Sequence, residues 1–167
     1  MTAKKKPYVA IVLGSDSDMP VMQACIDQLK DLGIEPLVRI ISAHRTPDIA
    51  ANFAQNASKE GIKVIIAAAG MAAHLAGALA ARTTLPIIGV PLAANQSPAG
   101  LDALLSTVQM PAGIPVATMA IGKPGAQNAA IFALQILALG DEKIRQKLED
   151  LKKSQREKVI KKDASLH

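Results

Sequence analysis

The chain has no tryptophan, one tyrosine, two phenylalanines and a single cysteine among its 167 residues. Each scarcity removes a class of explanation. Proteins that hold single-stranded nucleic acid stack successive bases on aromatic side chains, and an aromatic content of 2% leaves almost nothing to stack on. The same shortage argues against a flavin carrier, whose ring system also needs flat partners. One cysteine, Cys25, cannot build an internal disulfide framework, so the expected home is a reducing compartment, the cytoplasm. Cys25 falls in a stretch that reads as helix, where it serves as inert packing. Long apolar runs are missing too. No stretch reaches the ~20 uninterrupted apolar residues of a membrane span. The run 8–13, behind Lys4-Lys5-Lys6, ends in Gly-Ser-Asp rather than at the small-residue cleavage site of a secretory leader. No membrane partner is expected.

The formal net charge is +5, which raises the question of a polynucleotide partner. Its distribution answers it. Residues 1–6 carry three lysines and no acid, and residues 141–167 carry nine Lys/Arg against six Asp/Glu, which leaves 7–140 with seven bases and eight acids. The body of the chain is nearly neutral, and no nucleic-acid partner is expected.

What is present is an alternation. Half of the residues are hydrophobic, enough for a real core, and the simplest organisation is one domain over 1–167 with its core at about 7–140. Short β-rich runs at 8–13, 35–40, 63–67, 86–90 and 115–121 are separated by helical patterns. Asp18 before Met19-Pro20 is an N-cap followed by a first-turn proline, and Gly33 closes that helix. Thr46-Pro47-Asp48 repeats the device, with a helix to about Glu60 and Gly61 as its stop. Further helices begin near Ala72, Gly100 and Pro124, the last running to Leu139. Right-handed crossovers and helices on both faces make this a three-layer α/β/α sandwich. Its sheet is parallel, five-stranded and flavodoxin-like, with order 2-1-3-4-5 and its binding site at the carboxyl strand ends. Residues 141–160 form an amphipathic helical extension with Ile144, Leu148, Leu151 and Val159 on a narrow stripe, suited to docking on this domain or a sister chain. Residues 161–167 read as a frayed tail. The alanine-rich helices offer compact apolar surface for close packing between subunits, and a homo-oligomer is expected.

Three turns fall where such a fold places its site. Gly14-Ser15-Asp16-Ser17-Asp18 resembles a phosphate-cradling turn, with a tight glycine bend, backbone donors and a serine hydroxyl. Its two aspartates would repel phosphate. Asp18 therefore caps the helix or meets sugar hydroxyls while Ser15 and the backbone hold the anion; a plain strand-to-helix turn with two capping acids is the alternative. Ser42-Ala43-His44-Arg45-Thr46-Pro47 joins a planar, permanently charged guanidinium to an imidazole, the side chain whose unperturbed proton affinity lies near neutrality. Arg45 can fix a phosphate while His44 moves protons, or His44 can simply pack while Arg45 pairs with Asp16 or Asp48. Ala69-Gly70-Met71-Ala72-Ala73-His74-Leu75 brings a glycine turn and a second histidine, which can touch a ligand or be a satisfied buried residue. Two histidines without a third ligand do not make a zinc site, and no metal is expected. ATP, dinucleotide and serine-hydrolase motifs are all missing after the first strand, so no cofactor is expected.

Read together and in order, these turns resemble those of the PurE family, which carries Gly-Ser-x-Ser-Asp, Ser-Ala-His-Arg-Thr and Ala-Gly-x-Ala-His-Leu. The likeness continues through Gly89-Val90-Pro91, Gln109-Met110-Pro111, Gly113-Ile114-Pro115, Ala120-Ile121-Gly122-Lys123 and Asn128-Ala129-Ala130. The resemblance implies conversion of N5-carboxyaminoimidazole ribonucleotide to 4-carboxyaminoimidazole ribonucleotide without metal or cofactor, in a homo-octamer. It implies that His44 is the acid and base, that Ser15, Asp18 and Arg45 bind the ribose phosphate, and that Ser42, Gly70, Ala72, His74 and Leu75 line the substrate pocket. A sister class, which carboxylates aminoimidazole ribonucleotide with free carbon dioxide, shows Lys in place of Arg45 and lacks the Ala-His-Leu segment. Arg45 and His74 thus favour the mutase over the carboxylase, and a non-catalytic sugar-phosphate-binding module is the alternative from another class. The chain departs from the family pattern at Met71, at Ala76 and across 92–99.

Overall fold

A computed structural model describes residues 8–94 and 99–166; Lys4-Lys5-Lys6 and residues 95–98 of the atypical segment 92–99 lie outside the described residues. Five parallel strands, β1 (Val9–Leu13), β2 (Leu37–Ile40), β3 (Val64–Gly70), β4 (Ile87–Leu92) and β5 (Ala117–Thr118), form one sheet in the order β2-β1-β3-β4-β5. Each connection carries a helix: α1 (Met19–Asp31), α2 (Pro47–Asn56), α3 (Leu75–Ala80) and α4 (Leu101–Val108). After β5 come α5 (Lys123–Ala138) and α6 (Glu142–Ala164).

β1 shows why the sheet needs helices on both sides. All five of its residues are buried, and side chains alternate across the pleat. Val9, Ile11 and Leu13 enter a core with Met22, Cys25 and Leu29 of α1 and Ala126, Ala129 and Ala133 of α5. Ala10 and Val12 face the other way, toward Ala50, Phe53 and Ala54 of α2 and Leu75 and Leu79 of α3. The small side chains of α5 let it lie close against β3, β4 and α1. Parallel registers run from Val9 opposite Val64 to Leu13 opposite Ala68, and from Ile65 opposite Ile87 to Gly70 opposite Leu92.

Several boundaries differ from the sequence expectation, each for a local reason. β5 keeps only two of the seven residues expected at 115–121, paired through Ile88–Ala117 and Gly89–Thr118. α2 ends at Asn56 because 57–61 turn instead, with Glu60 N–H donating to Ala57 O (3.1 Å) and Gly61 N–H to Ser58 O (3.1 Å). α3 begins at Leu75 rather than near Ala72, since 71–74 form the turn that carries His74. α6 continues to Ala164, past the expected 160 and into the segment read as frayed, because nothing between its ends breaks a helix. Asp141 starts it by accepting the N–H groups of Lys143 (2.9 Å) and Ile144 (3.2 Å). Ile144 and Leu148 dock it on the α1/α5 layer, and Lys147 Nζ donates to Leu32 O at 2.8 Å, satisfying a carbonyl at the end of α1. No helix among the described residues is long and apolar enough to cross a membrane.

Candidate active site

The site forms where β1, β2 and β3 end. Gly14 N–H donates to Ala68 O at 3.0 Å, carrying the β1–β3 ladder one residue beyond the strand. Ser15 then caps a single 3-10 turn, Asp16–Asp18. Its Oγ accepts from Ser17 N–H (3.3 Å), while Asp18 Oδ2 accepts from Ser15 N–H (2.9 Å), a reciprocal capping box. Asp18 thus precedes α1 without its side chain capping that helix, contrary to the expectation: the carboxylate is spent on Ser15 N–H inside the 3-10 turn, and that backbone donor is already engaged. Burial pushes the half-buried Asp18 carboxyl above its ordinary value, against the hydrogen bonds from Ser15 and Gly14. Asp16, fully exposed, is held below the ordinary carboxylate range by hydrogen bonds from Ser15 and Ser17.

The second turn is braced from inside. Ser42 N–H donates to Thr46 Oγ1 (3.1 Å), and Thr46 returns both its hydroxyl (2.9 Å) and its N–H (2.9 Å) to Ser42 O. Within this ring Ser42 Oγ accepts from Arg45 N–H (3.1 Å) and Arg45 Nε (3.3 Å). The guanidinium, so aimed, donates from Nη2 to Gly14 O at 3.4 Å, which ties the second turn to the first. Arg45 thus bonds to turn residues rather than forming an ion pair with Asp48; the ion pairs among the described residues lie elsewhere.

The third turn leaves β3 at Gly70 and bends at Met71, whose φ of 56° lies in the left-handed region that glycine adopts without strain. The backbone thus makes a glycine-type bend with a side chain on it. The bend delivers His74 to His44. Nδ1 of His74 and Nε2 of His44 share a hydrogen bond of 2.8 Å, with ring centroids 4.9 Å apart and planes at 83°. His74 is exposed rather than a buried core histidine, and its partner is the other imidazole.

All nine residues named from the sequence, Ser15, Asp18, Ser42, His44, Arg45, Gly70, Ala72, His74 and Leu75, line one cavity of about 480 Å³. The sequence reading did not name Gly14, Ser17, Ala43, Ala69, Met71 and Ala94 among its walls. Ser17 had a signal, since Ser-x-Ser in a tight turn sends two hydroxyls to one side; Ala94 comes from the turn after β4 and had none. A larger hollow of about 980 Å³ opens near the amino ends of β4 and β5, but Arg82 is its one charged residue and it contains no histidine. The serine turn, Arg45 and both histidines share the smaller cavity, at the carboxyl strand ends.

A family model described as AIR carboxylase matches residues 8–158. The N5-carboxyaminoimidazole ribonucleotide mutase of Brucella melitensis is 54% identical over 151 residues, 90% of this chain and 93% of that protein. The mutase of Bacillus subtilis is 49% identical over 157 residues, covering 93% of this chain and 95% of that one. The crystal structure of Treponema denticola PurE matches the fold with a TM-score of 0.85 at 31% identity, over 96% of this chain and 98% of that chain.

Proposed function

The chain belongs to the AIR carboxylase family and catalyses the mutase reaction of purine biosynthesis, N5-carboxyaminoimidazole ribonucleotide to 4-carboxyaminoimidazole ribonucleotide; we propose that His44 moves the protons of that reaction. The observation that carries this reading is the double tie between turns. Arg45 reaches Gly14 O and His44 meets His74, so groups from three strand ends face one cavity.

The chemistry follows from those groups. Ser15, Ser17 and Arg45 hold the ribose phosphate, Arg45 through a planar fork that its own turn has already oriented. Asp18 faces the sugar. With the phosphate anchored, the imidazole ring lies toward the apolar wall of Ala43, Ala69, Ala72 and Leu75. The carbamate N–C bond breaks, carbon dioxide leaves, and the exocyclic amino nitrogen that carried it takes a proton from His44. The adjacent ring carbon then attacks the carbon dioxide, and His44 recovers the proton which that carbon must lose, so the cycle is proton-neutral. Carbon dioxide held at van der Waals distance reacts as though enormously concentrated, and an alanine-lined wall offers it nothing else to react with.

A free monomer leaves apolar surface for assembly. Leu101, Leu105 and Val108 are 51%, 49% and 47% exposed and fall on one face of α4. This supports a homo-oligomer; the octamer and the cytoplasm are what the family resemblance implies for it. Light scattering should give a mass several times that of the 17.4 kDa chain; a monomer would contradict it. The reaction itself is tested by offering the purified chain either the carbamate substrate or aminoimidazole ribonucleotide with bicarbonate. Rapid product from the carbamate alone is expected. Faster product from bicarbonate would make the chain a carboxylase, and turnover of neither with retained ligand binding would leave a binding module.

A further inference from the structure

Asp16 is the one residue between Gly14 and Asp18 that does not line the cavity, yet it holds the donors that do. Ser17 Oγ donates to Ser15 Oγ (3.0 Å), Ser15 Oγ donates to Asp16 Oδ1 (3.0 Å), and Ser17 N–H donates to the same Oδ1 (3.0 Å). A serine hydroxyl has one proton to give. While Ser15 spends it on Asp16 it accepts within the turn but cannot donate to a phosphate oxygen. The free protein therefore keeps its anion-holding turn filled with an anion of its own, and the guanidinium of Arg45 is near enough to draw the Asp16 carboxyl further toward its charged form.

We propose that Asp16 is a built-in competitor for the phosphate of the substrate, a residue that sets affinity for phosphorylated ligands. The proposal rests on the reading that this turn and Arg45 hold that phosphate. To seat, a phosphate oxygen must take the Ser15 hydroxyl proton and the Ser17 N–H from Asp16 Oδ1. The released carboxylate then turns to solvent, and because Asp16 is already exposed no buried contact is lost. Its negative charge stays near a dianion and continues to oppose it. Ligand groups that do not touch the first turn, the imidazole ring above all, are indifferent to Asp16. The competitor therefore weakens phosphate-dependent affinity and leaves the chemical step alone.

Asp16→Asn removes the charge and keeps an acceptor; Asp16→Ala removes both. For both variants and the parent protein, KM and kcat are measured with the carbamate substrate. Inorganic phosphate affinity is measured by calorimetry, and inhibition by the aminoimidazole ribonucleoside that lacks phosphate is measured alongside. KM and the phosphate Kd are expected to fall together, by about three- to tenfold, the span of one hydrogen bond's net worth. kcat and the nucleoside inhibition constant should not move. Unchanged or raised phosphate Kd in Asp16→Asn would overturn the proposal and make Asp16 a turn former only. A parent protein that binds phosphate more weakly than Asp16→Asn yet fails to turn over the carbamate would instead sink the functional reading and leave the competition standing.

Discussion

Replacing His74 by alanine separates positioning from proton transfer. In the free protein His44 and His74 hold one another through a single 2.8 Å hydrogen bond, and both side chains are exposed, so the bond competes with water. A hydrogen bond in that setting nets about 0.5–1.5 kcal/mol. If it fixes the productive orientation of His44, losing it lowers the correctly placed fraction, and hence kcat, by about 2- to 13-fold. KM should change little, because Arg45 and Ser15 are placed by contacts within and between the first two turns. Removing a group that itself transfers the proton costs on the order of 10²–10⁴, so the two roles differ by an order of magnitude or more. Steady-state turnover of the carbamate substrate by His74→Ala and His74→Gln reads this directly, and the glutamine, which restores a hydrogen-bonding group, should recover part of the loss. A hundredfold or greater fall in kcat for His74→Ala would refute the reasoning and make His74 a proton-transfer residue in its own right. No fall at all would mean that the imidazole contact does not position His44.

Two further outcomes concern packing. A Cβ on Gly89, in buried β4, would meet Thr107 Cγ2 and come within 2.9 Å of Val116 Cγ1. Gly89→Ala should therefore cost about 1–3 kcal/mol by overpacking, seen as a Tm lowered by roughly 2–12 °C in calorimetry, and an unchanged Tm would show that α4 lies less tightly on the sheet. Cys25 is fully buried, and burial pushes its thiol up to about 12 from an ordinary 9.0. Its thiolate fraction at pH 8 is then lower by about a thousandfold. Iodoacetamide should label the folded chain at under about 1% of the rate seen in denaturant, and comparable rates would contradict the inert reading.

The sheet was legible because its apolar runs are short, rich in β-branched residues and separated by helical spacing, as in the run expected at 63–67, which begins β3 although the strand goes on to Gly70. The helix starts at Met19-Pro20 and Thr46-Pro47 were legible for the same kind of reason, since proline in a first helical turn is a local signal. What could not be read were features decided by tertiary partners. The shortness of β5 depends on what β4 offers it at Ile88 and Gly89, and the delay of α3 to Leu75 depends on the left-handed bend at Met71. At the site, the three turns could be named one by one, but their mutual contacts lie 30 and 31 residues apart in the chain, from His44 to His74 and from Gly14 to Arg45. No periodicity encodes such pairs; only the parallel order that sets β1 between β2 and β3 does. The placement of Asp16 was hidden in the same way. Its sign suggested repulsion of phosphate, and only the folded turn adds that it also holds the turn's donors.

The assignment of proton transfer to His44 is met most directly by His44→Asn, measured for turnover of the carbamate substrate and for affinity toward the 4-carboxyaminoimidazole ribonucleotide product. The geometry predicts a kcat lower by on the order of 10²–10⁴ with product affinity within a few-fold of the parent, because the phosphate-holding groups are untouched. Turnover within a few-fold of the parent would contradict it.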